Sequence, residues 1–171
     1  MIVAVVGYSG KIDEPPVSEV ADVSRELGRR LAEEGYKIIT GGRDGVMELV
    51  SEAAKNSGGT IIGVLPGREG EGYVNPYVDI PIYTSMDFHM RSHILIHSAE
   101  AVISIGGEIG TAIEILLSYA SGKKLILFRG TGGWTDRFAD VLIDGKYLDN
   151  RRTVEVLQAY SVEEIMKLLR G

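Results

Sequence analysis

The chain has 171 residues, 44% of them hydrophobic and 25% charged, which is the balance of an ordinary globular domain and excludes disorder, collagen and an extended coiled coil. Its 18 basic and 24 acidic residues give a net charge of −6, the wrong sign for a protein that lives on nucleic-acid phosphates. There is no cysteine, so disulfides, thiolate metal sites and thiol nucleophiles are all removed.

No apolar run approaches the ~18 residues that span a bilayer. The opening MIVAVVGYSG lacks a basic flank and runs into a glycine turn, so it is expected to be a first strand and not a signal peptide, in a cytoplasmic protein. Ile2 to Val6 is continuous and β-branched, the mark of a strand covered on both faces. After Pro15 and Pro16, the residues Val17, Val20, Ser24, Leu27 and Leu31 step at three and four along one buried helix face, with Gly35 as the stop. Lys37 to Thr40 is a second strand. A helix from about Asp44 turns Val46, Leu49, Val50 and Ala53 inward and ends in Asn56-Ser57-Gly58-Gly59. Thr60 to Leu65 is the third strand, and residues 66–79 form a long exposed loop.

Ile80 to Tyr83 is a short strand. A helix from about Asp87 to Ala99 leads into a strand at Ala101 to Ile105. The next helix carries Ile113, Leu116, Leu117 and Ala120 and stops at Gly122. Lys124 to Phe128 is another strand, followed by a glycine-rich turn and a short helix around Phe138 to Leu142. Thr153 to Leu157 is expected as an edge strand, and Ser161 with Glu164 has the spacing of a capping box that opens a last helix. Strands alternating with helices and no internal break define one domain over residues 1–171. The expected fold is α/β, a three-layer α/β/α Rossmann-like domain with a mostly parallel sheet.

Glycine is in excess, 22 of 171 residues against a usual ~7%, and the excess is clustered where strands end. The clusters are Gly7 and Gly10 with Ser9 between them, Gly41, Gly42 and Gly45, Gly106, Gly107 and Gly110 with Thr111, and Gly130, Gly132 and Gly133. In an open parallel sheet these strand ends share the edge at which ligands bind. Glycine there lets backbone N–H groups approach a phosphate, and the following helix offers its positive end. A phosphate-bearing small molecule is therefore the expected ligand. No G-x-x-x-x-G-K-S/T occurs, and Gly130-Thr131-Gly132 lacks the third spaced glycine of a dinucleotide fingerprint, so neither a P-loop nor the usual dinucleotide site is present.

The segment from Arg91 to Glu114, R-x8-E-A-V-I-S-I-G-G-E-I-G-T-A-I-E, resembles the LOG-like superfamily of Rossmann-type proteins, marked by an arginine ahead of P-G-G-x-G-T-x-x-E. Gly41-Gly42-Arg43-Asp44-Gly45-Val46-Met47 is similar to that family's earlier glycine loop. The resemblance implies a phosphoribohydrolase that cleaves a nucleoside 5′-monophosphate to free base and ribose 5-phosphate, with Glu114 as catalytic carboxylate and Arg91 as its partner. Gly107, Gly110 and Thr111 would hold the 5′-phosphate through their N–H groups. It implies a homodimer or higher homo-oligomer with the Arg91 helix near the interface, and no required cofactor.

Three positions depart from the motif: Gly106 stands for its proline, Glu108 for its second glycine, and Ser92 for the basic residue after the arginine. With the GTGGWTD segment, these departures look closer to a subgroup similar to molybdenum-cofactor carrier proteins, in which the same edge would carry a phosphorylated pterin without chemistry. The "lysine decarboxylase" label of the superfamily finds no physical support in these residues.

Each candidate has a plainer alternative. Thr111-x-x-Glu114 is itself the pattern of a capping box, with Thr as N-cap. Arg91 could be a solvated helix residue. His89, His93 and His97 share one helix stripe, for which a subunit contact or a partly buried face is expected in place of a metal site. Trp134 could stack on a purine or pterin or anchor its own loop, and Tyr73 and Tyr77 pose the same question for a neighbouring subunit. Arg29-Arg30 and Arg151-Arg152 are expected as solvated surface. Two readings stay open, a hydrolase and a non-catalytic carrier, with nucleic acid disfavoured by charge.

Overall fold

An apolar run that does not alternate is stable as a strand only when both its faces are covered. Strand β1 (Ile2–Gly7) meets that demand at the centre of a seven-stranded sheet. Val3 and Val5 enter one core, and Ala4 and Val6 enter the other. The computed structural model describes all 171 residues. The remaining strands are β2 (Lys37–Thr40), β3 (Ile61–Leu65), β4 (Ile80–Tyr83), β5 (Ala101–Ile105), β6 (Lys124–Phe128) and β7 (Val156–Ala159). The helices are α1 (Ala21–Glu33), α2 (Val46–Asn56), α3 (Met90–Ser98), α4 (Ile109–Ala120), α5 (Gly133–Asp140) and α6 (Val162–Arg170).

Strand order is β4-β3-β2-β1-β5-β6-β7 and every pairing is parallel, in registers such as Val5 with Ile103 and Ile103 with Ile126. The expected mostly parallel sheet is wholly parallel. Helices α1, α2 and α6 cover the face that carries Val3 and Val5, while α3, α4 and α5 cover the other. The chain grows outward from β1 in both directions, so the order reverses between β1 and β5, the crevice where ligands of open α/β sheets bind. No helix is long and apolar enough to cross a membrane.

Most expected elements fall where periodicity placed them. Val17, Val20, Ser24, Leu27 and Leu31 are all buried, and α1 stops before Gly35. At α6 the Ser161 hydroxyl accepts the Glu164 N–H at 3.2 Å, and the Glu164 carboxylate accepts the N–H of Tyr160. Arg29, Arg30, Arg151 and Arg152 pair with surface carboxylates.

Several boundaries or faces differ. On α2 the inward residue is Ala54 and not Ala53. Helix α3 starts at Met90 because the Asp87 carboxylate lies outside it, accepting the N–H groups of His89 and Met90 at 2.9 and 2.8 Å. Helix α5 starts at Gly133 and not near Phe138, because the Trp134 and Thr135 N–H groups donate to Gly107 and Gly106 carbonyls and pin the first turn. The edge strand begins at Val156, leaving Thr153 to Glu155 off the sheet. On α4 the buried side is Ala112, Glu114, Ile115, Ser118 and Tyr119, whereas Leu116 is 47% exposed.

Candidate functional site

A cleft of about 490 Å³ opens at the reversal of strand order, within the usual range for a small-molecule site. The end of β1, Gly41 after β2, the start of α2, the first turn of α3 and the first two turns of α4 supply its walls. The hydroxyl of Thr111 donates to the Gly7 carbonyl at 3.1 Å and ties α4 to the end of β1.

Arg91 and Glu114 both line this cleft and both are nearly buried, at 6% and 9% exposure. The Arg91 guanidinium donates to the Val64 carbonyl at 2.6 Å and to the Phe88 carbonyl at 3.3 Å. Both acceptors are neutral, so its charge is held in place without an ion pair. Burial lowers its proton affinity, and the nearby Glu114 only partly restores it. Gly41 leaves room for it, since a Cβ there would push the Arg91 guanidinium and the Met47 sulfur from their places. Glu114 accepts one hydrogen bond, from Ser92 Oγ at 3.0 Å. Burial pushes its carboxyl above the usual carboxylate range, against the pull of Arg91, Ser92 and His89.

The capping-box alternative for Glu114 fails on geometry. Helix α4 begins at Ile109 with Glu108 as N-cap, so Thr111 already lies inside the first turn and Glu114 inside the second. Arg91 is equally far from a solvated helix residue. The N–H groups of Ile109, Gly110 and Thr111 have no acceptor in the protein, as expected of a helix N-terminus that is free to take an anion.

Of the ten glycine-loop candidates, Gly7, Ser9, Gly10, Gly41, Gly110 and Thr111 line the cleft, whereas Gly42, Gly45, Gly106 and Gly107 do not. Gly107 has φ +94° and packs so closely on Thr111 that a side chain would not fit. The Gly10 N–H is already taken by Asp44 Oδ1 at 3.2 Å. The cluster at Gly130, Gly132 and Gly133 is also outside the cleft and folds over Asp136.

Trp134 settles on its own loop. Its ring tilts against Phe138 at 5.3 Å, with the Arg137 guanidinium 5.3 Å above it. Tyr73 and Tyr77 donate to Glu48 and Glu52 of the same chain. His89 lines the cleft, while His93 and His97 stack on each other at 6.3 Å outside it; no three His, Asp or Glu side chains converge as a metal-binding group.

Sequence reasoning missed Arg43 and Phe88. Both line the cleft, the guanidinium 5.0 Å above the ring centroid, and Phe88 is 51% exposed. An arginine within the glycine loop Gly41–Gly45 was a visible signal; Phe88 had none. Glu108 stands exposed at the mouth, and burial together with its charge raises the Tyr8 phenol beneath.

The fold and cleft define a LOG-like Rossmann-type protein. The family model described as "SLOG cluster4 family" matches residues 1–166, and the chain belongs to that family. A structural-genomics target solved by X-ray crystallography superposes with a TM-score of 0.96 at 57% identity, covering 99% of this chain and 98% of the other. The molybdenum cofactor binding protein of Rippkaea orientalis gives a TM-score of 0.80 at 29% identity over 99% and 94%. The cytokinin riboside 5′-monophosphate phosphoribohydrolase LOG of Oryza sativa is 29% identical over 161 residues, 86% of this chain and 65% of that enzyme. The chain thus spans just under two thirds of that relative's length.

Proposed function

We propose that the protein is a phosphoribohydrolase that splits the N-ribosidic bond of a purine nucleoside 5′-monophosphate, releasing free base and ribose 5-phosphate. The observation that carries this reading is the placement of Glu114 and Arg91 in one cleft, both nearly buried and neither in an ion pair. A carrier gains nothing from a dry carboxyl group of raised proton affinity, whereas bond cleavage at an anomeric carbon uses one. The 5′-phosphate would take the free N–H groups at the start of α4, and Arg91 would hold ribose hydroxyls in its fork. Cleavage builds positive charge on the ribose, and a carboxyl group at that place can relieve it or exchange protons with base and water. The reaction needs no resident cofactor.

The test is release of free base from a panel of nucleoside 5′-monophosphates, followed by chromatography. Glu114→Gln is expected to lose at least a hundredfold in rate, the usual worth of a positioned acid or base, with nucleotide binding retained. No base from any nucleotide would overturn the reading.

The second reading is a carrier of a phosphorylated pterin. It is supported by the likeness to the Rippkaea orientalis protein over nearly the full length of both chains and by Glu108 at the cleft mouth. Binding of such a pterin, unchanged in Glu114→Gln and without turnover, would favour it.

For the homo-oligomer that the resemblance implies, we propose the outer side of α3 and α4, where Met90, Ile109 and Leu116 are 53%, 61% and 47% exposed. Burying such side chains against a second copy removes apolar surface from water. Light scattering is expected to give a multiple of 18.6 kDa, reduced to the monomer mass in Leu116→Glu. A monomeric wild type would refute the assignment.

A further inference from the structure

We infer that Ser92 is a positioning residue that sets Glu114 as the proton donor to the departing base, an inference that rests on the hydrolase reading above. Ser92 sits one residue after Arg91 in the first turn of α3 and is 3% exposed. Its hydroxyl has two acceptors in reach, Glu114 Oε1 at 3.0 Å and the Phe88 carbonyl at 3.4 Å. The carboxyl group is the better acceptor, and the hydroxyl is the one side-chain donor that touches it.

The chemistry follows from what Ser92 is not. A basic residue at this position would put a cation in contact with the carboxylate and hold it ionised. A neutral hydroxyl orients the group without holding it ionised. The charged and titratable groups facing Glu114 are Arg91 and His89 at the start of α3, which act through space, while Arg43 from the β2–α2 loop bears on Arg91. Glu108 and Asp44 line the same cleft. None of these forms an ion pair with Glu114. With Oε1 engaged by Ser92, Oε2 is the oxygen left to carry the proton.

The step balances without an added reagent. The C1′–N bond breaks and its electron pair goes to the base, which takes the proton from Glu114 Oε2. Water then attacks C1′ and gives a proton to the Glu114 carboxylate, restoring the acid. Ser92 remains bonded to Oε1 throughout.

The experiment is pH-titrated infrared difference spectroscopy of the free protein, paired with pH–rate profiles of base release. Wild type is expected to show a carboxylic-acid carbonyl band that Glu114→Gln abolishes. In Ser92→Ala the ionised form loses its hydrogen bond, so the band persists to higher pH, and the alkaline limb of kcat moves up with it. On the plateau kcat falls about tenfold, the worth of one hydrogen bond to a reacting group, with KM little changed. Ser92→Thr keeps the hydroxyl and returns the midpoint toward wild type. A midpoint unmoved by Ser92→Ala, or no acid band near neutral pH, overturns the proposal. An infrared shift with no base released from any nucleotide overturns the donor role through failure of the hydrolase reading, leaving the hydrogen bond alone established.

Discussion

Two glycine-rich segments follow adjacent parallel strands and have opposite fates. The segment after β5, Gly106 to Thr111, opens on the cleft with the N–H groups of Ile109, Gly110 and Thr111 unclaimed. The segment after β6, Gly130 to Gly133, is closed from within. Asp136 accepts the Gly130 and Gly132 N–H groups at 2.9 and 2.7 Å and the Arg129 Nε–H at 2.9 Å. Two amides and a guanidinium around a carboxylate are what an anion-binding turn offers a ligand; here the chain supplies its own anion. Glycine at a strand end is thus a geometric permission. Whether a ligand can use it depends on whether a side chain has already taken the N–H groups, and Asp44 on Gly10 shows an intermediate case.

The closed segment has a structural task that makes its loss the larger effect. Trp134 and Thr135 donate to the Gly107 and Gly106 carbonyls, and Thr131 Oγ1 accepts the Gly106 N–H at 2.8 Å, so this loop shapes the open one. Asp136→Ala removes three hydrogen bonds to a charged group and leaves Arg129 with Gln158 and the exposed Asp140 as its remaining side-chain partners. A loss of about 2 kcal/mol is expected, a fall in Tm of roughly 4–8 °C by calorimetry. Burial opposes ionisation of Asp136, but Arg129 and the two amides outweigh it and hold the carboxyl below its usual value. A depressed folded-state value gives stability that is present above the unfolded value of ~3.9 and is lost as pH falls through the lower folded value. The gap between wild type and variant should therefore close in acid below about pH 4. A gap independent of pH would show that the carboxylate is not what closes this loop.

β2, β4, β5 and β6 lie at their expected bounds because short β-branched runs between turn residues admit few registers. The start of α5 was not legible, since the hydrogen bonds that fix it come from Gly106 and Gly107, more than twenty residues earlier. On α4 periodicity marked Ile113 and Leu116, yet Glu114 turns inward and Leu116 outward. Polarity patterns assume that burial follows hydrophobicity, which fails where a carboxyl group is buried for a cleft and an apolar face is left at the surface. Arg91 and Glu114 were found by spacing to a motif. Arg43 and Phe88 meet only through the fold, one from the loop after β2 and the other just before α3, so no local pattern joins them.

The open segment carries its own partial block, and this gives the smaller and sharper test. Glu108 is the N-cap of α4, exposed and at the mouth of the cleft, where the motif has glycine. A carboxylate beside free helix N–H groups competes with an incoming anion through solvent-screened repulsion. Glu108→Gln removes that charge and keeps the size of the side chain. Titration calorimetry with a nucleoside 5′-monophosphate is expected to show about threefold tighter binding at low salt, shrinking toward nothing as the Debye length falls to ~3 Å at 1 M. The sign matters more than the size. Weaker binding in Glu108→Gln would mean that the carboxylate meets a donor on the ligand, such as an amino group of the base, and that the phosphate lies at the Arg43 side of the cleft. Tighter binding that fades with salt keeps the anion at the start of α4, on the loop that no side chain has filled.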